Sequence, residues 1–88
     1  MSYRVVLKRK MVKKIQKLPL YEKKVLKLLL NNLADNGPLQ KDWKNFSSLG
    51  ENRYHCHLPY KWVACWYHEN KQLTIEVFYV GSREKAPY

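Results

Sequence analysis

The chain has 88 residues, 45% of them hydrophobic, and carries seventeen Lys and Arg against seven Asp and Glu for a net charge of +10. A chain of this size buries only about 60–65% of its unfolded surface, enough for one modest core, so residues 1–88 are read as a single domain. The apolar content excludes a disordered chain, and no apolar run approaches the roughly 18–20 residues that a membrane-spanning helix needs.

The opening stretch "MSYRVVLKRK" is charged but has neither an apolar h-region nor a small-residue cleavage site, so no signal peptide and no membrane partner are expected. Two cysteines without a framework of others point to a reducing, cytoplasmic setting. The charge is unevenly placed. Residues 1–30 hold ten basic residues and one acid, Glu22, a net of +9, whereas 31–88 hold seven basic residues and six acids, a net of +1. A modest excess would read as a solvated face. A crowd of this size costs self-repulsion, and a polyanionic partner, nucleic acid or an acidic protein, is the expected reason.

In chain order, "YRVVLK" (3–8) alternates and is rich in β-branched residues, which predicts a strand with Tyr3, Val5 and Leu7 on one side. "RKMVKKIQKLP" carries Met11, Ile15 and Leu18 at helical spacing and ends at Pro19. A second helix is predicted over 20–36, with Tyr21, Val25, Leu28, Leu29 and Leu33 as its apolar stripe and Lys23, Lys24 and Lys27 off it. Gly37 and Pro38 stop that helix. Residues 37–52 read as a connection whose Leu39, Trp43, Phe46 and Leu49 pack as lids on the core, with part of it a short strand or helical turn. Three strands follow at 53–58, 62–68 and 72–80, and the short links "PYK" and "ENK" make them an antiparallel meander. In the last strand Leu73, Ile75, Val77 and Tyr79 are expected on one face, with Thr74, Glu76 and Phe78 on the other. The tail "GSREKAPY" is expected to leave the sheet. This order predicts an α+β fold, with two helices packed on one face of a small antiparallel-dominated sheet and the other face open.

The string "RYHCHLPYKWVACWY" (53–67) is the chemically pointed segment. Tyr54, Cys56 and Leu58 make a buried face, which leaves Arg53, His55 and His57 on the opposite one. A zinc clip of His55, Cys56 and His57 conflicts with strand alternation, because Cys56 points away from both imidazoles. Cys56 reads as a small buried hydrophobe, and nothing near Cys65 in sequence activates it as a nucleophile. Paired surface imidazoles beside Arg53, with Lys61 in the next turn and Arg83 just past the last strand, can hold a phosphate and move a proton. Tyr60, Trp62, Trp66 and Phe78 read mainly as packing, with base stacking open to any that are exposed.

The span from "LGENRYHCHLPYKW" to the end resembles the RelE/ParE superfamily of bacterial toxins. The residues that carry the likeness are Tyr54, His55, His57, Tyr60-Lys61, Val80-Gly81-Ser82-Arg83 and Tyr88. "PLQKDWK" followed by "YHCHLPYKW" resembles the YafQ branch, which has a similar Pro-Leu-x-x-x-Trp-Lys segment and a His in the same strand. The resemblance implies a RelE-like β-α-α-β-β-β domain and a type II toxin: a ribosome-dependent mRNA endonuclease acting in the A site and restrained by a cognate acidic antitoxin. It implies attack of a ribose 2′-OH on the adjacent phosphate, with no metal and no cofactor.

By the same resemblance His55, His57, Lys61, Arg83 and Tyr88 are the catalytic candidates. Two imidazoles here stand where the best-known branch has two lysines, and Lys61 stands where it has arginine. His57 is taken as general base and His55 as acid or phosphate ligand, with the labels exchangeable. Arg83 and Lys61 meet the developing charge, and Tyr88 orients or stacks. Arg9, Lys10, Lys13, Lys14, Lys17, Lys23, Lys24, Lys27 and Arg53 are the expected RNA-binding residues, toward mRNA and the phosphates of 16S rRNA. Two other functions are open on the same fold: a ParE-like inhibitor of DNA gyrase, and a non-catalytic basic RNA- or protein-binding module.

Overall fold

A computed structural model describes residues 2–69 and 72–88. The elements are β1 (Arg4–Leu7), α1 (Arg9–Gln16), α2 (Leu20–Asn36), β2 (Ser47–Gly50), β3 (Arg53–His57), β4 (Trp62–His68), β5 (Thr74–Ser82) and a 3₁₀ turn (Arg83–Lys85). The five strands form one sheet in the order β1-β5-β4-β3-β2. β1 runs parallel to β5, and every other pairing is antiparallel. The expected α+β order is therefore present with one more strand, the short β2 from the 37–52 connection. The "PYK" link turns the chain between β3 and β4, with Tyr60 at φ 62°. Residues 70 and 71 of the "ENK" link lie outside the described residues.

The α1 spacing works as read: Met11 and Leu18 are buried and Ile15 packs against the core. Helix α2 has the expected bounds but a different rotation. Its buried residues are Glu22, Leu26, Leu29 and Leu33, whereas Tyr21 is 60% and Leu28 55% exposed. Apolar residues lie on more than one side of α2, so periodicity does not choose the face. Packing on the sheet does, with Leu26, Leu29 and Leu33 in the main core. The Tyr3 N–H donates to the Ala34 carbonyl at 2.7 Å. Gly37, at φ 94°, lies so close to the Tyr3 ring that an added Cβ would stand 2.9 Å from it. Glycine both caps the helix and lets β1 dock against its end.

The main core lies between the helices and the sheet, around Leu26, Leu29, Leu33, Cys56, Leu58, Trp66, Ile75 and Val77. Trp43 and Phe46 pack on it as lids, but Leu39 does not and is 53% exposed. The Trp66 indole donates to the Pro38 carbonyl at 2.9 Å, so the connection is tied to the sheet it covers. Tyr54, Cys56 and Leu58 face this core as expected.

One strand breaks its expected alternation. Cys65 pairs with Tyr79 and Trp66 with Val77, so Phe78 is an extra residue in β5. This β-bulge reverses the faces beyond it. Ile75, Val77 and Val80 enter the main core. Tyr79 instead joins Val63 and Cys65 in a small cluster on the other side, against Leu49, Phe78 and Ala86. Leu73 precedes β5 and is exposed.

Candidate active site

Strand alternation in β3 sends Cys56 into the core and His55 and His57 to the opposite face. The two imidazole rings stand 5.7 Å apart, tilted by 53°. β2 brings a neighbour to each side chain. Ser47 pairs with His55 across the strands, and its Oγ lies 3.0 Å from His55 Nδ1. Asn45 Nδ2 lies 3.2 Å from His57 Nδ1. The His57 backbone N–H donates to the Lys44 carbonyl at 2.8 Å, and the Arg83 N–H donates to the Lys61 carbonyl at 2.7 Å.

His55 is only 8% exposed, although the face it lies on was expected to be open. The cause is the carboxyl-terminal tail, which was expected to leave the sheet. After the 3₁₀ turn the tail folds back, Ala86 packs on the small cluster, and the Tyr88 ring lies 4.4 Å from that of His55. Gly81 leaves room for the Tyr79 side chain, since a Cβ there would stand 2.7 Å from the Tyr79 hydroxyl.

The electrostatics favour neutral imidazoles. Burial pushes the His55 pKa below the ordinary value, and a hydrogen bond to the Ser47 backbone opposes the shift. His57 is also pushed down, first by burial and then by the positive charges of His55, Arg83 and Lys44. Burial raises the Tyr88 phenol above its ordinary range, and the Arg83 charge opposes this. Cys65, opposite His55 in the sheet, has its thiol pushed up to about 12 by burial. Cys56, on the other face, is likewise raised to about 12. Neither is a poised thiolate.

Two cavities flank this centre. One of about 430 Å³ is lined by Lys8, Arg53, Tyr67, Phe78 and Tyr88, among others. The other, of about 410 Å³, runs between Lys14 of α1, Lys17 just past its end, and Lys61, Trp62, Tyr79 and Lys85. Lys61 also sits over the Trp62 ring, 5.7 Å from its centroid. Arg9, Lys10 and Lys13 line a third space of about 630 Å³ with Lys8. Of the catalytic candidates, Tyr88 lines the first of these spaces, with Glu76, and Lys61 lines the second, with Lys14 and Glu84. Lys23, Lys24 and Lys27 of α2 line neither flanking cavity.

Lys44, Asn45 and Ser47 touch or charge the imidazoles and were not singled out in the sequence. The only signal for them was that part of the 37–52 connection is a strand. Without its register on β3, nothing assigned them a face. Among the described residues, no three His, Cys, Asp or Glu side chains converge as metal ligands. His68, at the far end of β4, bonds through Nε2 to the Gln72 carbonyl at 2.8 Å.

No family model and no curated protein matches the chain. Solved structures do. An archaeal RelE from a RelE–RelB complex of Pyrococcus horikoshii is 19% identical, over 98% of this chain and all of that one, at a TM-score of 0.78. The isolated RelE toxin of E. coli is 15% identical, over 98% of this chain and 89% of that one, at 0.75. A conserved hypothetical protein of Helicobacter pylori is 22% identical, over 93% and 96%, at 0.60. With β1, two helices and the antiparallel strands all in place across nearly the whole chain, this protein has the fold of the RelE toxins.

Proposed function

We propose that this chain is the toxin of a type II toxin–antitoxin system, and that it acts in the cytoplasm as a ribosome-dependent mRNA endonuclease in the A site. The observation that carries the reading is the grouping of two neutral-leaning imidazoles, the Tyr88 ring and the Arg83 charge on one sheet face of a RelE fold. A merely basic binding module has no need of paired imidazoles within 5.7 Å of each other. A gyrase inhibitor has no need of a site that transfers protons.

The chemistry follows from those groups. A base takes the proton of a ribose 2′-OH, and the 2′-oxygen forms a bond to the adjacent phosphorus. The bond from phosphorus to the 5′-oxygen breaks, leaving a 2′,3′-cyclic phosphate, and the 5′-oxygen gains a proton. The imidazoles serve proton transfer and hydrogen bonding. Arg83 and Lys61 stabilise the charge that grows on the phosphorane oxygens, and Tyr88 orients the substrate. These steps use protein side chains alone and call for no metal or cofactor. Arg9, Lys10, Lys13, Lys14, Lys17 and Arg53 supply phosphate contacts to mRNA and 16S rRNA, which position the chain while the face acts. Lys23, Lys24 and Lys27 extend that contact along α2. An acidic antitoxin fits the net charge of +10, and one of the structural relatives was solved as a RelE–RelB complex.

The test is induction in growing bacteria followed by mapping of mRNA 5′ ends. Growth arrest with new ends inside codons, dependent on ongoing translation, is the expected result. Arrest with intact mRNA would remove the nuclease reading.

A further inference from the structure

The cavity of about 430 Å³ beside Tyr88 takes no part in proton transfer. It is built on the outer face of the sheet. Strand alternation puts Arg53, two residues before His55, on the same face as that imidazole. Tyr67 stands opposite Arg53, and Glu76 opposite Tyr67, so the three form one row across β3, β4 and β5. Phe78, the extra residue of the β5 bulge, adds a second ring to the lining, and Tyr88 of the returning tail adds a third. The Arg53 guanidinium lies 5.9 Å from the centroid of the Tyr67 ring, and Lys8 supplies a second cation.

These groups suit one class of ligand. Aromatic rings and a guanidinium plane are surfaces on which unpaired bases stack. The volume lies within the roughly 300–1,000 Å³ of small-ligand pockets. The two cations favour the phosphate that a nucleotide brings with its base. The odd member is Glu76, an exposed carboxylate in a chain of net charge +10. Among the described residues the one ion pair joins Arg53 to Glu51, at 3.9 Å, and none reaches Glu76. A surface that only held phosphate would be weakened by this charge. A base pocket gains from it, because a carboxylate only accepts hydrogen bonds and so selects by the donors on a base's edge. Guanine sets two N–H donors side by side on its pairing edge, one for each carboxylate oxygen. Adenine and cytosine offer one amino group beside a bare ring nitrogen. Uracil offers one N–H between two carbonyls, and both repel a carboxylate.

We propose that the cavity lined by Tyr88, Phe78 and the Arg53–Tyr67–Glu76 row is a nucleobase pocket, and that Glu76 is its specificity-determining residue, favouring guanine and disfavouring uracil. The pocket stands on its own lining, and its place in cleavage rests on the nuclease reading. Tyr88 borders both the His55 ring and the cavity, so a base held there belongs to a nucleotide flanking the scissile phosphate. Glu76 then biases which codons are cut without touching the reacting atoms.

The pocket is tested by titrating the isolated protein with the 5′-monophosphates of guanosine, adenosine, cytidine and uridine, followed by NMR on the Tyr67, Phe78 and Tyr88 rings. The guanosine nucleotide should shift these signals and bind more tightly than the uridine one by roughly 5–150-fold, the worth of one bidentate base contact. Glu76→Gln sets one donor beside one acceptor, which fits the pairing edge of adenine, so the preference should move to the adenosine nucleotide. Glu76 is exposed, and this variant should fold as the unaltered chain does. On programmed ribosomes whose codons differ only in guanine or uracil beside the cut, the unaltered chain should show the same preference and Glu76→Gln should lose it. Equal affinity for the guanosine and uridine nucleotides, shifts confined to other residues, or an unchanged order in Glu76→Gln overturns the pocket. Cleavage with a codon order indifferent to Glu76→Gln overturns its role in the reaction. Base discrimination in the spectra with no cleavage by the unaltered protein removes the nuclease reading and upholds the pocket.

Discussion

The ring of Tyr88 lies 4.4 Å from the ring of His55, tilted by 43°, although 33 positions separate the two residues. The contact makes the carboxyl terminus a wall of the site. It also accounts for the burial that depresses the His55 pKa. Tyr88→Ala should return His55 to water and raise its pKa toward the ordinary 6.5, whereas Tyr88→Phe should keep the depressed value. An NMR titration of the His55 ring protons checks this, and equal pKa values in the two variants would contradict the contact.

Stability should depend on pH for the same reason. His55 and His57 both titrate below 6.5 in the folded chain. In the window just below 6.5, unfolding therefore takes up protons, and stability rises with pH wherever the unfolded state binds more of them. The imidazole contribution is fully present above 6.5 and is lost as pH falls through the folded pKa values. Urea midpoints measured from neutrality downward should decline before the carboxylates titrate, which begins about two pH units lower. His57→Gln should make that decline shallower.

The rotation of α2 is testable by a neighbouring pair. Leu29 is fully buried, whereas Leu28 is 55% exposed. Leu29→Ala should cost about 2–5 kcal/mol, the range for a core leucine that leaves a cavity. Leu28→Ala should stay within about 0.5 kcal/mol. Denaturant melts of the two variants compare them directly, and equal losses would restore the stripe read from sequence.

That pair also marks how far sequence carries. The order of elements, the bounds of α2 and the opposition of Cys56 to His55 and His57 follow from local rules: spacing, caps and strand alternation. The rest depends on partners. The rotation of α2 is chosen by its packing on the sheet, while Tyr3 and Gly37 hold its end. The Phe78 bulge exists only as a mismatch with β4, and it turns Tyr79 to the other face. "SSLG" has little strand propensity of its own and becomes β2 by pairing with β3. The tail returns because Ala86 and Tyr88 find apolar and aromatic surface on that face. Of the candidate site, the imidazoles were legible, while Asn45, Ser47 and Lys44 required the β2–β3 register.

If the cations of α1 and α2 hold RNA phosphates, ribosome affinity should fall steeply with ionic strength, through counterion release. Lys14 lines a cavity beside Lys61, and Lys13 lines the space next to it. Changing Lys13, Lys14 and Lys24 together to Gln should flatten the slope of log affinity against log salt by up to about 3, roughly one per phosphate contact. All three are exposed, so the fold should survive. An unchanged slope would move the binding face elsewhere.

The most direct test is single-turnover cleavage of mRNA on programmed ribosomes, comparing the unaltered chain with a His55→Gln/His57→Gln variant across the imidazole pH range. The unaltered chain should cut within the A-site codon at a rate that rises with pH to a plateau, with its midpoint below 6.5, where these rings titrate. The double variant should be slower by roughly 10²–10⁴-fold, the usual share of proton transfer, and EDTA should change neither rate once the ribosome's own magnesium is restored. Full cleavage and toxicity in the double variant would contradict the imidazole mechanism, and growth arrest with intact mRNA and blocked DNA supercoiling would assign the chain to the gyrase inhibitors.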